Sequence, residues 1–227
     1  MSADLETLLR ALQYGDSFFP SGAVSFSWGL ERLREDGLIK GEDDLQDFIA
    51  GQLRERWAMI DRPVLVAAHR ACPDTTEIAR IDQRLESLTL PSVNREGSRR
   101  AGAALLGAHE SLVTPHAGSY YDLVKRGDAP GHLAVAQGLV FCAVGLPEEW
   151  AAALSGHGVT VGYLGAALRL GLVGHIASQR CLAAMREVVA EVLATPPSAL
   201  DDIGAFTPQS DIAAMRHDTA TLRLFTT

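Results

Sequence analysis

The residues with chemistry in their side chains are few, and their spacing suits no familiar catalyst. Ser155-Gly156-His157-Gly158 sets a hydroxyl near an imidazole, but a fold brings a nucleophile to its base, and proximity in sequence carries little weight. The seven histidines (69, 109, 116, 132, 157, 175 and 217) include no HxxxH or HExxH pair, and Cys72, Cys142 and Cys181 form no CxxC. A structural or catalytic metal site is expected to show such spacing. Asp43-Asp44 and Asp201-Asp202 lack the DDxxD pattern of Mg²⁺-diphosphate chemistry and read as helix-start charge and solvated linker. The chain contains no GxxxxGK[ST] loop, no GxGxxG after a strand and no GxSxG elbow, so no catalytic or metal-binding residue is assigned. The most unusual stretch is Asp16 to Glu31, DSFFPSGAVSFSWGLE, with Pro20, Gly22, Gly29, four serines and four aromatics. It reads equally as core-plugging aromatics at a helix start or as a recognition surface, where aromatics give contact area at low entropic cost.

The elements that position these residues are helical almost throughout. Leu5, Leu8, Leu9 and Leu12 repeat at i, i+3, i+4, i+7, the spacing of one helix face. Asp43 or Asp44 is a candidate cap for a helix with Leu45, Phe48, Ile49, Leu53, Trp57 and Ile60 on its apolar face. Ile78, Ile81, Leu85 and Leu88 repeat the pattern, Arg99 to Val113 is Ala/Leu-rich, and 178–194 places Leu182, Met185, Val189 and Val192 or Leu193 inward. Ala129–Pro147 and Trp150–Leu168 are each 19 residues without Asp, Glu, Lys or Arg. Their prolines, glycines, histidines and hydroxyls favour helices buried in a domain over membrane spans. Thr207 is a candidate cap and Pro208 a first helical residue for a last helix striped by Ile212, Met215, Leu222 and Phe225. The expectation is all-α: one helical domain over 1–227 of nine or ten helices, with a mobile Pro-rich linker at 195–206 and a C-terminal helix and tail at 207–227.

Composition narrows the partners. A net charge of -8 over 227 residues argues against general nucleic-acid binding, which needs a basic face. Three scattered cysteines fit a reducing compartment, and the acidic start MSADLETLLR is unlike a secretory signal. The expected location is the cytoplasm. Eighteen arginines against two lysines read as a GC-rich genome or as an interface, where the planar fork pairs with carboxylates.

Pro20-Ser21-Gly22-Ala23-Val24-Ser25-Phe26-Ser27-Trp28-Gly29-Leu30-Glu31 resembles the N-terminal signature of the urease accessory protein UreF family. Four more blocks resemble that family in its order. They are Gly97-Ser98-Arg99 with Gly102 and Leu105-Leu106; His132 with Ala134, Val135 and Gly138; Ala167-Leu168-Arg169-Leu170-Gly171 with Gly174 and Gln179; and Asp211 to Asp218 with Arg223-Leu224-Phe225. Ser21, Val24 and Asp218 depart from the family's usual aliphatic, aromatic and glutamate residues. The resemblance implies an all-α, non-enzymatic chaperone for nickel insertion into urease. It implies a homodimer that binds the accessory protein UreD or UreH, recruits the GTPase UreG and docks on apo-urease. It implies no cofactor on this chain itself, nickel and GTP being handled by partners. The partner-binding residues carried over are Pro20, Gly22, Ser25, Phe26, Ser27, Trp28, Gly29, Glu31, Arg169, His217, Arg223, Leu224 and Phe225. Two other readings stand beside it: a small-ligand protein or enzyme whose pocket lies among the charge-free helices with His132, His157 and His175 as polar groups, and an arginine supplied in trans to the GTPase.

Overall fold

The computed structural model describes residues 3–20 and 29–217. Helix α1 is Ala3–Gly15, α2 Leu30–Glu35, α3 Glu42–Gln52, α4 Arg62–Ala71, α5 Thr75–Leu88, α6 Ser92–Ser111, α7 Ala117–Arg126, α8 Leu133–Ala143, α9 Glu148–Arg169, α10 His175–Leu193 and α11 Pro208–His217. A π-helical segment, Leu53–Asp61, joins α3 to α4 without a break, so the described residues form ten helical rods and no strand. The all-α reading holds.

Local chemistry explains most boundaries. The Asp74 carboxylate accepts from the Thr76 and Glu77 N–H groups and starts α5. At α3 the expected cap is corrected. Gly41 occupies that position, Asp43 and Asp44 lie in the first turn, and Asp44 accepts the Lys40 N–H at 2.8 Å. The apolar face from Leu45 to Ile60 is also more than one α-helix. Leu45, Ile49, Leu53 and Trp57 recur every four residues and are buried. That spacing drifts around an α-helix, and the wider i→i+5 turn from Leu53 onward counters the drift.

Two apolar clusters form the core. One gathers α4 to α8 around Leu65, Leu106, Tyr120 and Leu139. The other gathers α2, α3, the π segment, the end of α9 and α10 around Leu30, Leu45, Trp57 and Met185. The charge-free stretches supply α8 and α9, and α8 is almost wholly buried. Among the described residues, no helix is long and apolar enough to cross a membrane. Two glycines set the closest approaches of backbone to backbone. A Cβ on Gly102 would stand 2.0 Å from the Gly131 carbonyl oxygen, and one on Gly138 2.4 Å from that of Leu65.

The turn between α7 and α8 is held by buried polar groups. Asp82 accepts from the Tyr120 hydroxyl at 2.6 Å, the Gly131 N–H at 2.6 Å and the His132 N–H at 3.1 Å. His132, fully buried, begins α8 as its N-terminal cap residue and bonds Glu86 through Nε2 at 2.8 Å. This agrees with a capping and core-polar role. His109, also fully buried, bonds the Thr114 hydroxyl at 2.9 Å and packs against the rings of Tyr14 and Phe19.

These groups give stability a pH dependence. Burial lowers His109 and His132 to about 4. Each therefore contributes stability above pH 6.5 that is lost as pH falls toward 4, because only the unfolded chain takes up the proton. Burial raises Asp82 to about 6, so its contribution has the opposite sign, present below about 4 and lost by about 6. Burial raises Asp61 and Asp211 too, which also opposes the histidines. The histidine and carboxyl contributions oppose one another, and substitution separates them. His109→Gln should leave the urea midpoint falling less, or rising more, between pH 7 and pH 5 than in the parent chain; an unchanged pH dependence would refute the assignment.

The stretch 195–206 has no helix and is tied to the helical body at several points. Arg62 donates to the Val192 and Thr195 carbonyls at 2.8 and 2.5 Å, Gly204 donates its N–H to the Met59 carbonyl, and Ile203 is buried. An arginine against the last carbonyls of α10 satisfies groups that a helix end leaves open.

Candidate partner interface

The end of the N-terminal signature packs against the start of the C-terminal block. Gly29 precedes α2 with φ of 86°, a left-handed conformation that glycine adopts freely. A Cβ there would also stand 2.9 Å from the Ser210 carbonyl oxygen and 3.4 Å from Ala213 Cβ. Both constraints require glycine. Leu30, Glu31 and Leu33 are buried beside it, and Arg216 of α11 pairs with Asp36 at 3.0 Å.

Polar groups lock α11 from beneath. Gln52 donates to the Ser210 hydroxyl at 3.1 Å and accepts from the Tyr163 hydroxyl at 3.3 Å. Ser210 donates to the Thr207 carbonyl at 3.1 Å. Helix α11 begins at Pro208 as expected, but the Thr207 hydroxyl bonds the Asp211 carboxylate at 3.3 Å, and the backbone cap is the Thr207 carbonyl taking the Asp211 N–H. Asp211 is held above the usual carboxylate range by burial, partly offset by Arg56 and the Thr207 bond.

The outward faces of the terminal helices correct the simple amphipathic expectation. On α11, Ala213 and Ala214 face the core while Ile212 and Met215 stand half exposed. On α1, Leu5, Leu8, Leu9 and Leu12 are 44% to 60% exposed. Each helix carries its apolar stripe outward, where small residues or a few contacts hold it to the body. The residue just before the signature is fixed as well: Phe19 packs edge-to-face on Tyr14 at 5.4 Å. Phe18 beside it is 94% exposed.

The carried-over residues divide accordingly. Gly29, Glu31 and the helix ending at His217 are brought together. Pro20 is exposed where the segment leaves Phe19. Arg169 lies exposed in the last turn of α9. Its block forms the helix stop: Gly171, at φ 65°, donates to Leu168, and Leu172 donates to Ala167, the paired bonds of a glycine-terminated helix. Gly22, Ser25, Phe26, Ser27, Trp28, Arg223, Leu224 and Phe225, with Leu222, lie outside the described residues. Asp36, Gln52 and Ser210 were missed by the sequence reading, which named Thr207 only as a cap. Gln52 alone left a trace there, as a polar residue between buried Ile49 and Leu53.

A cavity of about 360 Å³ lies among α1, the π segment, α6, α8 and α9. The expected histidines do not line it. His132 is turned to Glu86, His157 faces a separate groove against α10, and His175 is exposed at the start of α10. Its polar lining is Gln52, Arg56, Asp61, Gln137, Ser155 and Tyr163 among others. Arg56 and Asp61 pair at 3.7 Å, five residues apart, a spacing that a π-helical turn brings to one face. Burial raises Asp61, opposed by Arg56. Among the described residues no three His, Cys, Asp or Glu side chains group to hold a metal.

Comparison with known proteins gives the family. The UreF family model matches residues 39–186. The chain belongs to the UreF family. It is 32% identical to the urease accessory protein UreF of Trichodesmium erythraeum, over 99% of both chains. It is 31% identical to urease accessory protein UreF 1 of Brucella melitensis, over 97% of this chain and 93% of that one. For the UreF of Yersinia enterocolitica the figure is 29%, over 96% and 97%. The UreF name denotes an accessory protein and not an enzyme, and the likeness extends beyond the matched core to both terminal helices.

Proposed function

We propose that the chain is a cytoplasmic adaptor for urease maturation, acting over 1–227 as one UreF-like unit and as a homodimer. It binds the UreD or UreH accessory protein, recruits the GTPase UreG and helps assemble the nickel centre of apo-urease. Nickel and nucleotide are handled by these partners. The observation that carries this reading is the joint between Gly29 and α11, together with outward apolar stripes on α1 and α11. Such stripes are suited to partner surfaces, since large exposed apolar patches mark interaction sites. An adaptor of this kind acts by favouring one state of its partner over another, because equal affinity for both shifts nothing.

Arg223 follows α11 and is the anchor that the family likeness selects. Arg223→Ala should leave helix content unchanged and weaken binding of the UreD-type partner by about 2 kcal/mol or more, roughly 30-fold in Kd. Unchanged affinity in a titration of purified proteins would remove Arg223 from the interface.

A further inference from the structure

Helices α4 and α8 make the most extensive helix–helix contact among the described residues. Gly138 brings them together, its missing Cβ lying 2.4 Å from the Leu65 carbonyl, 2.8 Å from Ala68 Cβ and 3.0 Å from the His69 nitrogen. One turn further along each helix stand Cys142, in the last turn of α8, and Cys72, the C-terminal cap residue of α4. The Cys142 sulfur adjoins the Cys72 thiol, on the side where His69 of α4 meets the Leu146 carbonyl just beyond α8 at 2.9 Å. Both are partly exposed and unbridged, whereas Cys181 is buried in the other core cluster.

We propose that Cys72 and Cys142 are a reversible thiol–disulfide site that clamps α4 to α8 on exposure to a small-molecule disulfide. Burial and the adjoining Cys142 sulfur hold Cys72 protonated, pushed up to about 12, so Cys142 supplies the attacking sulfur. Its thiolate attacks one sulfur of oxidised glutathione; that S–S bond breaks and a glutathione thiolate departs. Cys72 then gives its proton to a departing thiolate and attacks Cys142 Sγ, breaking the mixed disulfide and releasing the second glutathione. Two protein thiols are oxidised, one glutathione disulfide is reduced to two thiols, and the cysteine protons end on glutathione.

The clamp lies beside the α8–α9 turn. That turn seats α1 through Arg10 to the Val144 carbonyl, and meets α4 through His69 to the Leu146 carbonyl and Arg70 to Glu148. The bridge closes a loop of about 70 residues and constrains the unfolded chain.

The test treats the full chain with oxidised glutathione, alkylates it in denaturant with iodoacetamide, and reads mass, peptide map and Tm. The expected result is one alkylated cysteine, Cys181, with a dithiothreitol-reversible peptide linking Cys72 to Cys142. The bridged chain should melt roughly 5–15 °C higher, and Cys142→Ser should abolish the link. Three alkylated cysteines, a lasting glutathione adduct on Cys142, a bridge to Cys181 or an unchanged Tm would each overturn the proposal.

Discussion

Replacing Gly102 with valine should cost about 3 kcal/mol and lower Tm by roughly 6–12 °C. The site leaves no room, because a Cβ would sit 2.0 Å from the Gly131 carbonyl oxygen, 2.8 Å from the His132 carbonyl carbon and 2.9 Å from the Leu133 nitrogen. These are backbone atoms, so no rotamer change relieves the clash. The α7–α8 turn must move away from α6. That movement breaks the Asp82 bonds and the bond from the Leu133 N–H to Ser98. Gly51→Ala is the control: it is helical, and nothing lies within 4 Å of its Cβ. It should be neutral or stabilise by up to about 1 kcal/mol. Thermal melts of the two variants side by side check the account, and a Gly102→Val protein as stable as Gly51→Ala would contradict it.

Asp82→Ala should be the most damaging polar substitution, costing about 3–5 kcal/mol. Three donors converge on this fully buried carboxyl, and alanine leaves all three without an acceptor inside the core. The effect should be coupled to Tyr120. Once Asp82 is gone, Tyr120→Phe removes an unsatisfied hydroxyl, so the double variant should be more stable than the sum of the single losses predicts. Urea unfolding of the four proteins measures the coupling, and strict additivity would mean that the 2.6 Å bond contributes nothing.

Gly102, and the His132 turn that Asp82 holds, belong to blocks first noticed as family motifs; Asp82 and Tyr120 themselves were not noticed. The glycines of those blocks were legible as letters, but not their purpose. Gly102 and Gly138 serve backbone approach across helices far apart in sequence, and no local pattern encodes that. The helices themselves were legible because apolar periodicity reports burial directly: Ile78, Ile81 and Leu85 face the core as their spacing requires. Periodicity misleads where it and burial part company. The leucines of α1 and the Ile212–Met215 pair have the spacing of inward faces, yet stand outward. A stripe records that a face seeks apolar contact, and does not say whether the contact comes from this chain. The π segment was hidden for a related reason, since four-residue spacing imitates a broad α-helical face. Gly29 lay in a stretch that read equally as a core plug or a recognition surface; the structure places it in the joint with α11, a tertiary contact invisible along the chain.

The central claim is that the C-terminal helix, seated on Gly29, is part of the surface that gathers the urease maturation partners. The most direct measurement is to tag the chain in its native cells, purify it at low salt and identify what accompanies it, beside a version ending at Phe206. The predicted result is recovery of urease subunits with UreD- or UreH-type and UreG-type proteins by the full chain, and their loss from a truncated chain that remains folded by circular dichroism. Recovery of the full chain alone, or of the same partners by the truncated chain, would contradict the account.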